Sequence, residues 1–227
     1  MTTATPLVPD WSGTTQQATP DGENATQTQR PTSDRMQRST SSPDNPLLTS
    51  VTTEVNNASG DLSPVPGESD PVGSGPQQRY LVEVEDGLPG AAGDFARAVQ
   101  EILGDERSWI GGGDLSLKRV DEEPVDFRVT LASPETTDEL CAPLRTNGEL
   151  SCHQGGRAVI NQNRWVSGVD HFDDDLEEYR IYVVNHEVGH ALGHGHVDCP
   201  EQGEPAPVMQ QQTLGLQGCE PNGWVHP

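Results

Sequence analysis

Aromatic residues are scarce in this 227-residue chain: three Phe, four Trp and three Tyr, 4% of the total. Cations are scarce relative to acids, 13 Lys and Arg against 36 Asp and Glu, which leaves a formal charge of −23. Long apolar runs are missing, and no stretch approaches the ~18 residues that a membrane-spanning helix needs. No charged start leads into an apolar segment, so no secretory signal is visible. A surface this acidic argues against a nucleic acid as partner, because a phosphate backbone calls for a basic face. Most of the charge reads as solvated surface.

The scarcity is uneven. Residues 1–78 hold a single aromatic residue, Trp11, and neither Cys nor His. From Arg79 onward lie the other nine aromatics, all four Cys and all seven His. Residues 1–78 are dense in Thr, Ser, Pro, Gln, Asn and Gly, and sequence of that kind buries too little apolar surface to offset its ordering entropy. They read as a disordered tail, linker or leader. Residues 79–227 read as one domain of about 150 residues, long enough for its own core.

Within the domain, Tyr80, Val82 and Val84 alternate with Leu81, Glu83 and Glu85, which reads as a strand. Phe95, Val99, Ile102 and Leu103 follow at helical spacing and stop at Gly104. Strands are expected over Leu115–Val120, Val125–Leu131 and Arg157–Asn161. A second helix starts near Asp174, with Glu177 as a capping-box partner and acids massed at its positive end. The order β-α-β-β-β-α gives an α+β class: a mixed sheet with two helices, then a loop-rich C-terminal part.

The end of that second helix carries the chemistry. His186 and His190 are four residues apart, so one helical turn sets both imidazoles on one face, with Glu187 beside them. This is an arrangement for zinc with a carboxylate next to the metal's water. Ile181, Val184, Val188 and Leu192 fall on the opposite face, which packs on the sheet. In a continued helix His194 would sit about 12 Å beyond His186. Zinc–nitrogen bonds are about 2 Å, so those two cannot share an ion. Gly193 suits a left-handed residue that ends the helix. After that turn His196 can swing back as third ligand, with Asp198 a weaker candidate and His194 exposed or beside the site. Trp109, Trp165 and Trp224 read as core or pocket wall.

The run His186-Glu187-x-x-His190-x-x-Gly193-x-x-His196 resembles the extended zinc signature of the metzincin metalloproteases. That family has a Met turn beneath the metal, and Met209 in Pro207-Val208-Met209-Gln210 stands at a suitable distance. The matched motif covers about residues 186–210, and the upstream element order is similar to the family's N-terminal half. The whole is also similar to a group of secreted actinobacterial metzincin-like proteins. Several metzincin subgroups carry a Tyr shortly after the Met turn; none follows Tyr182 here, so that role is empty or differently filled.

Four Cys allow three pairings. Cys141 and Cys152 flank the hairpin-turn signal Asn147-Gly148. Cys199 and Cys219 flank the Met turn. The favoured bridges are therefore Cys141–Cys152 and Cys199–Cys219. Disulfides require an oxidising compartment. This implies an extracellular or cell-surface protein whose export signal lies outside this chain.

The resulting expectation is a monomeric zinc endopeptidase acting on a protein or peptide. It binds one Zn2+ per chain through His186, His190 and His196, with Glu187 as general base. Two other classes stay open: a zinc hydrolase of a non-peptide amide, such as a cell-wall or small-molecule bond, and a non-catalytic zinc-stabilised binding module.

Overall fold

In the computed structural model, residues 45–49 and 53–227 are described. The expectation of disorder over residues 1–44 and 50–52 lies outside the described residues. In chain order the elements are α1 (Pro46–Thr49), β1 (Leu62–Pro64), β2 (Val72–Ser74), β3 (Gln77–Glu85), α2 (Ala92–Gly104), β4 (Leu115–Val120), β5 (Phe127–Ala132), α3 (Pro134–Cys141), β6 (Cys152–Gln154), β7 (Arg157–Asn161), α4 (Gln162–Ser167) and α5 (Leu176–Ala191). Single turns of 3-10 helix lie at Trp109–Gly112 and Asp170–Phe172. The result is an α+β fold with a mixed seven-stranded sheet and, among the described residues, five α-helices rather than two. No helix among the described residues is long and apolar enough to cross a membrane.

The sheet order is β2-β4-β3-β5-β7-β6, and β1 pairs with the far half of β3. The four inner strands are parallel, while β1, β2 and β6 are antiparallel. Strand alternation explains the layers. Tyr80, Val82 and Val84 of β3, Phe127, Val129 and Leu131 of β5, and Ala158 and Ile160 of β7 meet α2 and α5 in one core. Phe95 of α2 sets its ring edge-on to Trp165 at 4.9 Å. On the other face, Ala132, Val159, Cys141 and Cys152 form a smaller cluster under α3.

A domain boundary at residue 79 is incorrect. Two of the seven strands, β1 and β2, lie before it, and Val65 is buried with its N–H donating to Val82 O at 2.8 Å. Composition misses this because the segment is held by polar groups of the domain rather than by its own apolar area. Buried Arg119 donates to Val65 O (2.9 Å) and Pro66 O (3.2 Å). Buried Glu85 accepts from Gly60 N at 2.9 Å while also taking Ser133 N and Thr136 Oγ1. Gln162 donates to Thr53 O at 2.7 Å. Leaving such buried groups unpaired is costly, so they recruit nearby backbone.

Both expected bridges, Cys141–Cys152 and Cys199–Cys219, are formed. The first does not flank a hairpin, however. Cys141 ends α3, and Asn147-Gly148, both at positive φ, turn the chain between α3 and β6. The hairpin is β6–β7, turned by Gly155-Gly156 at φ 59° and 77°.

Candidate metal centre

Three consecutive Asp residues precede α5. Asp173 and Asp174 take positive φ, and Asp175 is the N-cap, accepting Glu178 N at 3.0 Å. The cap thus sits one residue later than the sequence pattern suggests. The helix has no exposed chemical side: every residue from Tyr179 to Gly189 is buried. A C-terminal loop covers the face opposite the sheet, and the site lies where that cover opens.

Gly193, at φ 94°, ends α5. Its N–H bonds to His190 O (3.0 Å), and the next N–H, of His194, reaches Gly189 O (2.9 Å). These are the two bonds of a Schellman motif, which needs a left-handed residue where Gly193 stands. The turn points the chain back along the helix, and His196 returns beside His190. One ring nitrogen from each of His186, His190 and His196 lies within 4.8 Å of the others, a grouping that can hold a metal ion. Among the described residues no other group of three or more His, Cys, Asp or Glu does so.

The rings are oriented by carbonyls. His186 Nδ1 donates to Val208 O and His190 Nδ1 donates to His194 O, each at 2.8 Å. A carbonyl only accepts, so both rings carry their proton on Nδ1 and turn the Nε2 lone pair inward. Metal-binding imidazoles are commonly fixed in this way. His190 Nε2 and His196 Nε2 stand 2.9 Å apart, an approach that suits two lone pairs converging on one cation. Burial pulls the His186 pKa down to about 3, helped by His190 and His196 and opposed by the Val208 carbonyl. The ring is therefore in its neutral, ligating form at ordinary pH.

Glu187 is buried beside them, and among the described residues no donor reaches its Oε2. Burial pushes its carboxyl up to about 8. An unpartnered buried carboxylate oxygen is expensive unless something else supplies charge or a proton. A cation among three adjacent imidazoles would do so. The residues present therefore fit a metal.

Other residues fall as follows. The His194 ring is exposed and stacks on Trp109 at 4.4 Å; its contribution to the triad is the backbone carbonyl. Asp198 is exposed, accepts from Gln217 Nε2 at 3.3 Å and stands outside the triad. Met209 lies in a tight turn closed by Gln210 N on Pro207 O (2.9 Å), packed against Gly189 beneath the triad. Trp165 is core, Trp224 lies under the Arg107 guanidinium at 3.9 Å, and Trp109 backs the last turn of α5.

The triad opens into a cleft of about 440 Å³. One wall is the edge strand β6 and the loop before it, with Leu144, Leu150 and His153; the other is the loop after the Met209 turn, with Thr213 and Leu214. Leu144 and Leu214, at 52% and 64% exposure, are two of three exposed large apolar residues described, and the third, Val197, adjoins His196. Sequence reading passed over these walls. His153 had a usable signal, as a His four residues before a predicted strand; the leucines had none.

No curated protein and no solved structure matches this chain. Residues 49–226 match the family described as "Protein of unknown function (DUF3152)". The matched stretch takes in every strand and the whole candidate metal centre, and the chain belongs to the DUF3152 family.

Proposed function

We propose that the chain is a zinc-dependent endopeptidase of metzincin type. The observation that carries this reading is the unpartnered, buried Glu187 carboxylate beside three converging imidazoles at the floor of an open cleft. His186, His190 and His196 would hold the ion. An all-nitrogen donor set of three favours zinc in an open, catalytic site, since structural zinc takes four protein ligands. That count also weighs against a purely structural metal. Bound zinc supplies a Lewis acid that polarises the scissile carbonyl and acidifies water.

The chain's own groups do the rest. Glu187 accepts a proton from the attacking water and returns it to the leaving amine. An extended peptide adds to the edge of the sheet along β6, which among the described residues has a strand partner, β7, on one side only. Exposed Leu144, Leu214 and Val197 give apolar contact to side chains flanking the scissile bond. Two disulfides favour an oxidising, extracellular setting.

The test is full-length protein carrying one equivalent of zinc, incubated with a broad peptide library with and without chelator. Cleavage should be chelator-sensitive. Glu187→Gln should lower it 10²–10⁴-fold, a loss typical of an absent general base, at unchanged zinc content. Zinc-loaded wild type that cleaves no peptide overturns the reading in favour of a non-peptide amide or a binding role.

A further inference from the structure

A fourth imidazole faces this cleft. β6 is three residues long, and its side chains alternate across the sheet. Cys152 points to the α3 face, where it bridges to Cys141 within the smaller cluster. His153 therefore points to the opposite face. Its cross-strand partner Ala158 belongs to the core under α5, which fixes the same side independently. His153 lines the cleft together with the triad. It is half-buried, and among the described residues nothing is hydrogen-bonded to its ring. It also stands outside the group able to hold the metal.

We propose that His153 is a catalytic residue of this site, donating a ring N–H to the scissile carbonyl oxygen as that oxygen becomes negative. The proposal rests on the peptidase reading above. Hydrolysis of a peptide bond places charge on that oxygen, and a preorganised donor is worth most in a site shielded from water. Other cleft-lining donors are less suitable. The Tyr182 hydroxyl is committed to Gln210 O at 3.1 Å, Thr146 Oγ1 is paired with Asp138 and Thr213 Oγ1 with the Tyr179 hydroxyl, and Arg145 and Gln211 are exposed side chains on loops. His153 sits on a paired strand, one residue from a disulfide, so its backbone is held. Desolvation, then the nearby His190, keep its pKa below the ordinary value, so the ring is neutral with one N–H to give.

The step balances without net transfer at His153. The water oxygen bonds to the carbonyl carbon, its proton passes to Glu187, and the carbonyl π pair moves onto the oxygen that His153 contacts. On collapse the pair returns, the C–N bond breaks, and the amine takes the proton from Glu187. His153 keeps its own proton throughout.

The experiment compares full-length wild type, His153→Ala and His153→Gln, each zinc-loaded. Four quantities are measured: zinc content, melting temperature, kcat and KM on a cleaved peptide, and the Kd of a phosphinic pseudopeptide of the same sequence as a tetrahedral probe. For His153→Ala, zinc content should hold, kcat should fall roughly 10²–10³-fold with KM little changed, and phosphinate affinity should weaken in step with kcat. His153→Gln, which keeps an N–H and guards against a folding defect, should recover part of both. Unchanged kcat, a loss confined to KM, or loss of zinc overturns the role of His153 and leaves the peptidase reading standing. Zinc-loaded wild type that cleaves nothing overturns the peptidase reading first, and this role with it.

Discussion

Gly189 lies between His186 and His190 of α5, and its missing side chain is used twice. A Cβ built there would lie within 3.0 Å of Met209 Sδ and 2.5 Å from Trp109 Cζ2. Trp109 cannot step aside easily: its Nε1 donates to Asn185 O at 2.9 Å and its ring carries His194. The flexible Met209 side chain must move, but it is buried under the triad, and the residue before it supplies the carbonyl that orients His186. Gly189→Ala gains about 1 kcal/mol of helix propensity. Overpacking of a filled site costs about 1–3 kcal/mol. The net expectation is a loss of up to about 2 kcal/mol, which at that limit is a fall in Tm of roughly 4–8 °C at this chain length. Disturbing the carbonyl behind His186 should weaken zinc binding about 10–100-fold. Thermal melts of chelated protein and competition against a chromophoric chelator measure the two effects. Gly93→Ala in α2, where an added Cβ meets nothing within 4 Å, is the control and should stabilise by up to about 1 kcal/mol. If Gly189→Ala behaves like Gly93→Ala and binds zinc as wild type does, the packing argument fails.

Removing residues 1–76 orphans Arg119 and Gln162, at about 1–3 kcal/mol each, and takes one of three donors from Glu85; Tm should fall by roughly 5 °C or more, and an unchanged melt would restore a boundary at residue 79. His196→Ala should lose most zinc affinity while His194→Ala, whose ring rests on Trp109, keeps one equivalent by atomic absorption; the reverse order would refute the turn at Gly193. Burial, opposed by the Gly223 N–H, holds the Glu178 carboxyl above its usual pKa, so its ionisation works against folding and stability erodes as pH rises through that raised value. Glu178→Gln should remove the erosion, so urea melts from pH 4 to pH 8 should shift progressively in the variant's favour; a pH-independent difference would refute this.

The candidate metal centre was legible because its determinants are local. A four-residue spacing sets two imidazoles on one face, and a glycine at the required left-handed position brings in the third. Strands with clean alternation, β3, β5 and β7, were legible for the same reason. What escaped was non-local or short. β1 and β2 are three-residue strands with one half-buried residue each, ordered by polar partners 20 to 55 positions away. α3 is different: Ser133 as N-cap followed by Pro134 is a recognisable start signal that periodicity alone passed over. The Asn-Gly pair was rightly a turn, but a turn dipeptide does not say which elements it joins, and Gly155-Gly156 joined the hairpin instead.

The stretch after α5 has no named helix or strand, yet it must hold Val208 O still enough to orient His186. Apolar packing alone does not account for this, since the loop contributes little more than Ala206, Val208, Met209 and Trp224 to the buried set. The work falls to carboxamides, which each offer donors and an acceptor to backbone that has no ladder of its own. Buried Gln212 donates to Asn222 O (2.7 Å) and accepts Asn222 N (3.0 Å), so the two arms of the loop are tied by a reciprocal pair. Asn222 Nδ2 donates to Ala206 O at 2.8 Å, and Gln210 Nε2 reaches Leu216 O at 2.8 Å. Asn185 on α5 binds Gly223 O (2.9 Å), and Tyr182 binds Gln210 O, which anchors both arms to the helix that carries His186 and His190. The Cys199–Cys219 bridge closes the far end. A chain poor in aromatic and apolar residues thus gains the rigidity a metal site needs from satisfied amide networks, in which loss of one member leaves its partner buried and unpaired.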